Sequence, residues 1–148
     1  IHTHTTAGIA VACKKDGLAY DNFYGAQFWG RVAYHDFEGI TTDIAEQERL
    51  VASLGNDDVM ILRNHGLLVT GASVPEAFIE SWSLQRACEV QVAAGALPGP
   101  NHAIPESVLR AIPAQRKPMQ AGQRRPYQSV FDAMLRVAGI RFEDIAGH

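Results

Sequence analysis

Apolar and polar positions alternate along this chain at two periods, and the switches between them mark its elements. Residues 1–4 read as the end of a strand. Thr5 or Thr6 then caps a helix over residues 7–14, with Ala, Ile, Val and Cys on its apolar side and Lys15-Asp16-Gly17 as its stop. Residues 18–28 are mixed and aromatic-rich, 29–34 read as a strand with Val32 and Tyr34 on one face, and 35–39 read as loop. Asp43 with Glu46 three residues later has the form of a capping box, with Thr42 as an alternative cap, for a helix that runs through Leu54 and ends at Gly55. The apolar run at 58–62 predicts a buried strand and 67–70 predicts another. Asn64-His65-Gly66 between them suits a tight turn with left-handed backbone, so the pair reads as a hairpin with a histidine at its tip.

The second half reads as helical. Ser73-Val74-Pro75-Glu76 combines an N-cap, a first-turn proline and a glutamate three residues on. The helix it opens extends to about Gly95, with Ala77, Phe78, Trp82, Leu84, Cys88 and Val92 as apolar positions, and Pro98-Gly99-Pro100 breaks it. A short helix follows over 104–115, a polar, basic loop over 117–126, and a last helix over 127–138 ended by Gly139.

Composition narrows the class without choosing a function. The chain has 148 residues, 47% hydrophobic and 20% charged, the proportions of one ordinary globular domain. No apolar run approaches the roughly 18 residues that span a bilayer. The net charge of −3 disfavours nucleic-acid and membrane-surface roles. Five of the 13 Lys and Arg residues fall in one stretch (Arg110, Arg116, Lys117, Arg124, Arg125), which reads as a solvated linker because no aromatics interleave it. Cys13 and Cys88 lie in no metal spacing, and each is expected to be a small, buried, unpaired apolar residue in a reducing cytoplasm. A metal-binding strand at the frayed end of a domain is physically awkward, so the chain is expected to be part of a longer protein.

The chemistry concentrates in three histidines. His2 and His4 form an H-x-H pair, and a period of two points both rings to one face of a strand. His65, at the hairpin tip, offers a third nitrogen. Three protein ligands with an open position are the pattern of a catalytic metal ion. Three imidazoles suit Zn²⁺ first, with Mn²⁺, Co²⁺ or Ni²⁺ as alternatives. His35, His102 and His148 are expected to be structural or surface residues.

Three landmarks stand in order: Ile1-His2-Thr3-His4-Thr5, then Tyr34-His35-Asp36-Phe37-Glu38-Gly39, then Arg63-Asn64-His65-Gly66-Leu67-Leu68 running into Gly71-Ala72-Ser73-Val74-Pro75-Glu76. Together they resemble the class II aldolase and adducin-type domain over about residues 1–95; residues 100–148 match no motif. That family includes fuculose- and rhamnulose-phosphate aldolases, ribulose-phosphate 4-epimerase and the adducin head. The resemblance implies a three-layer α/β/α fold with a central mixed, largely antiparallel sheet. It makes this chain the C-terminal portion of one such domain, with 96–148 a helical extension. His2, His4 and His65 match the family's metal ligands. The acid/base carboxylate and the phosphate-gripping loops of the enzymes lie upstream of the H-x-H, so the resemblance leaves the catalytic residues of this chain unassigned. Tyr24 falls near a tyrosine that one subunit lends to another, and Gln85 stands where many relatives carry Glu.

The activity so implied is that of a divalent-metal-dependent lyase (aldolase) or epimerase. Its substrate would be a small hydroxy-carbonyl compound or sugar phosphate, with the metal acting as Lewis acid toward a developing enediolate. A decarboxylase on the same scaffold is a variant of that reading. The alternative from a different class is a non-catalytic, adducin-like interaction module that retains a metal. The resemblance also implies a cytoplasmic homo-oligomer, with a tetramer favoured, and no nucleic-acid or membrane partner.

Overall fold

The computed structural model describes residues 1–40, 44–115 and 126–144. Four strands form the sheet: β1 (His2–Thr3), β2 (Val32–His35), β3 (Val59–Leu62) and β4 (Gly66–Val69), in the spatial order β1-β4-β3-β2. β1 pairs antiparallel with β4, β4 antiparallel with β3, and β3 parallel with β2. The sheet is therefore mixed, and two of its three pairings are antiparallel. The hairpin expected from the sequence is the β3–β4 pair. The connection between the parallel strands β2 and β3 includes α3 (Ile44–Leu54), since parallel neighbours need a connection long enough to return.

Helices cover both faces. On one side α1 (Thr6–Ala12) and α4 (Val74–Gly95) pack on the sheet and on each other, and α2 (Phe23–Ala26) packs on α4. Val11, Phe28, Val59, Ile61, Leu67, Val69, Leu84 and Cys88 form the core there. On the other side α3 lays Leu50 and Leu54 against Ala33, Met60, Leu62 and Leu68. β3 is buried at all four positions because it feeds both layers, Val59 and Ile61 to one and Met60 and Leu62 to the other. This is the three-layer α/β/α arrangement.

Local chemistry sets the boundaries. Thr5 caps α1 through its hydroxyl, which accepts from Gly8 N–H at 3.1 Å. Ser73 caps α4 by accepting from Glu76 N–H at 3.4 Å, with Pro75 in the first turn. Asn22 caps α2, a four-residue helix in the stretch that the sequence pattern leaves unassigned. The strand expected over 29–34 instead covers 32–35, because Gly30 takes φ +73° and Arg31 N–H closes a turn on Phe28. His35, expected in the following loop, ends β2 opposite Leu62. The cap residues expected at Thr42 and Asp43 lie outside the described residues.

α5 (Glu106–Gln115) and α6 (Pro126–Ala138) follow, with α6 packed on α4 through an edge-to-face contact of Phe131 with Phe78. Glu80 on α4 is buried and ion-paired with Arg31, and it accepts from the Tyr127 hydroxyl at 3.2 Å. Arg110 lies in α5, paired with Glu106; the other four basic residues of the expected linker lie outside the described residues.

Candidate metal centre

β4 and the hairpin turn bring the three histidines together. His2 sits opposite Leu68 in the β1–β4 ladder. β1 runs so close to the hairpin that a Cβ on Gly66 would stand 2.3 Å from the Thr3 carbonyl oxygen and 3.1 Å from the His4 ring. Only glycine lets the two backbones approach this far. The turn is fixed from behind: Asn64 adopts φ +59°, its N–H donates to Ala12 O at 3.2 Å, and Arg63 N–H donates to His35 O at 2.8 Å. The Arg63 guanidinium donates to the Lys14 carbonyl at 2.8 Å and stacks 4.1 Å over the Tyr34 ring. These contacts bring His65 against His2 in β1 and against His4, which lies just past the end of that strand rather than within it.

One nitrogen from each of His2, His4 and His65 can be chosen so that all lie within 4.8 Å of one another. The His2 ring meets the other two edge-on at centroid distances of 4.4 and 4.9 Å, while His4 and His65 stack at 4.7 Å. His2 Nδ1 lies 2.8 Å from the Leu67 carbonyl, which can only accept, so Nδ1 carries the proton and Nε2 presents a lone pair. That Nε2 faces His4 Nε2 at 2.7 Å. Two nitrogens aimed at each other need a shared proton or a cation. Burial and the neighbouring His2 and His4 push the His65 pKa down, against an opposing pull from Glu46, so its ring favours the neutral form that binds metal. A carbonyl behind one ligand, a lone pair in front and a neutral third imidazole fit a divalent ion.

Two cavities flank the trio. One of about 530 Å³ is lined by His4, His65, Ile9, Phe37, Ile40 and Glu46. The other, about 250 Å³, is lined by His2, His65, His35, Glu38, Glu46 and Leu50 among others. Glu46, read from the sequence as a capping residue, lines both. His35, expected to be structural, is buried at the edge of the second. The signal for His35 was its H-x-x-E spacing with Glu38; Glu46 had none. Tyr24 packs edge-on against Trp82 and lines neither cavity. Gln85 supports the site from α4: the Thr5 hydroxyl, next to His4, donates to its Oε1 at 2.5 Å, and its amide donates to Glu89 at 2.7 Å. His102 is exposed, and His148 lies outside the described residues.

Residues 1–92 match the family model described as the class II aldolase and adducin N-terminal domain. The chain belongs to the class II aldolase and adducin family. A Pseudomonas aeruginosa protein provisionally named an aldolase class 2 protein is 46% identical over 94 residues, 64% of this chain and 36% of that protein. Alpha-adducin of Rattus norvegicus is 45% identical over 93 residues, 62% of this chain and 12% of that protein. Among solved structures, an aldolase II superfamily protein from Pseudomonas syringae superposes with a TM-score of 0.82 at 43% identity, over 93% of this chain and 54% of that one. The L-fuculose 1-phosphate aldolase of Glaciozyma antarctica PI12 gives 0.68 at 27% identity, over 95% and 53%. The chain thus spans about half the length of these solved relatives and about a third of the Pseudomonas aeruginosa one. The class II aldolase fold expected from the sequence is the fold found.

Proposed function

We propose that this chain carries the metal-binding half of a divalent-metal-dependent lyase of the aldolase type, or of an epimerase, acting on a small hydroxy-carbonyl compound or sugar phosphate. The observation that carries this reading is the convergence of His2, His4 and His65 beside an open cavity of about 530 Å³, a size suited to a small metabolite. The fuculose-phosphate aldolase among the structural relatives supports the same class. The ion, Zn²⁺ by preference for three imidazoles, supplies when bound the Lewis acidity that draws electron density toward a substrate carbonyl oxygen.

The chain's own residues divide the remaining work. His2, its Nδ1–H held by the Leu67 carbonyl, and His4 present Nε2 lone pairs, and His65 completes the set as a neutral ring. None of the three moves a proton in the reaction. Phe37, Ile9 and Ile40 give one side of the cavity an apolar lining. The proton-transferring carboxylate lies upstream of the H-x-H, and the part after residue 95 is a helical extension whose described helix α6 packs on α4. The protein is a homo-oligomer, by preference a tetramer, in the cytoplasm. Among the described residues no helix is long and apolar enough to cross a membrane.

Cleavage of hydroxy-carbonyl sugar phosphates by the full-length protein tests this. Activity should disappear on chelation and return with Zn²⁺ or Mn²⁺; turnover indifferent to chelators would sink the Lewis-acid reading. The likeness to alpha-adducin favours a second reading, an interaction module that keeps the metal without chemistry. Full metal loading with no turnover across such substrates would select it.

A further inference from the structure

We propose that His35, Glu38 and Glu46 form a second divalent-cation site, distinct from the histidine trio and opening on the same 250 Å³ cavity. The three come from separate places: His35 from the end of β2, Glu38 from the loop after it and Glu46 from the first turn of α3. One ligand atom from each can be chosen so that all lie within 4.8 Å of one another. Two carboxylates this close in a partly covered site repel each other unless a positive charge stands between them.

His35 gives the independent observation that points to a ligand. Its ring is 8% exposed. Nδ1 meets the Ser53 hydroxyl at 2.9 Å. Nε2 is buried and, among the described residues, has no hydrogen-bond partner. It faces Glu38 Oε1 at 3.6 Å, beyond hydrogen-bond range. Buried polar atoms are nearly always paired, and an orphan calls for an explanation. An imidazole anchored at one nitrogen and idle at the other is how metal-ligating histidines are built.

Arg49 does not fill the site. Its Nε donates to both Glu38 oxygens at 2.9 Å, and its Nη2 donates to Oε2. A carboxylate offers about four lone-pair positions, more than the Arg49 contacts use, and Oε1 faces His35 Nε2 at 3.6 Å. Arg49 thus orients Glu38 as a partner behind a ligand does. One imidazole and two carboxylates are a harder set than three imidazoles and suit Mn²⁺ or Fe²⁺.

The test is Mn²⁺ binding to the full-length protein carrying His65→Ala, which silences the trio, read by loss of the free Mn²⁺ signal in electron paramagnetic resonance. The expected result is about one Mn²⁺ per chain, weakened about tenfold or more when Glu46→Gln or Glu38→Gln is added, with the melting temperature of each variant confirming that it folds. Glu38→Gln serves if Glu46→Gln does not fold. No Mn²⁺ bound by folded His65→Ala protein, or binding untouched by either added substitution, overturns the second site. Neither result bears on the trio, whose ion is absent from every arm.

Discussion

His2 illustrates how one backbone group decides the chemistry of a side chain. The Leu67 carbonyl takes its Nδ1 proton, so Nε2 is left to bind. At His65 the control is electrostatic, and it makes a pH prediction. Burial and two imidazole neighbours hold its folded-state pKa below the ordinary 6.5. The stability that the neutral ring contributes is therefore fully present above pH 6.5 and is lost as the pH falls through the lower folded value. The melting temperature of metal-free protein should drop on acidification below 6.5, and His65→Gln should flatten that drop. An unchanged profile in the variant would contradict the assignment. The cysteines give a second prediction. Burial and Glu89 push the Cys88 thiol up to about 12, whereas Cys13, expected from the sequence to be buried too, follows the end of α1 and is exposed. Peptide mapping after thiol labelling of native protein should find Cys13 modified and Cys88 protected until denaturation; equal, rapid labelling of both would contradict the packing.

At the scale of elements, the hairpin and its neighbours are a device for convergence. Gly66→Ala places a methyl group against the Thr3 carbonyl, so β1 must move away from β4. The expected cost is about 1–3 kcal/mol in urea unfolding, together with weakened metal binding; a variant of unchanged stability and affinity would contradict the close approach. Thr5→Ala removes the α1 cap and the contact to Gln85, and should cost about 1 kcal/mol. Much of this was legible in the chain. The capped helices, the buried β3 run and the Asn64-His65-Gly66 turn follow from local rules that the tertiary structure does not override. The start of β2 was not legible, because Gly30 breaks an otherwise apolar run by its positive φ. α2 was missed because four residues give no helical period, only the Asn22 cap. Glu46 reads from the sequence as the end of a capping box, and nothing nearby in sequence signals that it also lines a cavity with His35 and His65.

For the whole molecule, the parallel β2–β3 pairing does what sequence spacing cannot foretell. It sets His35 opposite Leu62 at the base of the hairpin, and so places the Tyr34–Gly39 landmark beside the histidine trio. His2 and His4, Phe37 and His65, one or two residues from each of the three motifs, therefore meet at one locus in space. Ile40, at the mouth of the larger cavity, is fully exposed, and Phe37 beside it is half exposed. Apolar side chains beside a site opening are consistent with a second subunit closing over it. Light scattering on the full-length protein should give a mass of several chains, with four favoured, and a monomer would contradict the oligomeric reading.

The most direct test of the central claim is elemental analysis of the full-length protein beside its His65→Ala variant, both dialysed against metal-free buffer. The account predicts about one tightly held transition-metal ion per chain in the wild type, zinc foremost, and its loss in a variant that still folds. Equal metal content in the two proteins, or none in either after reconstitution with Zn²⁺, would contradict it.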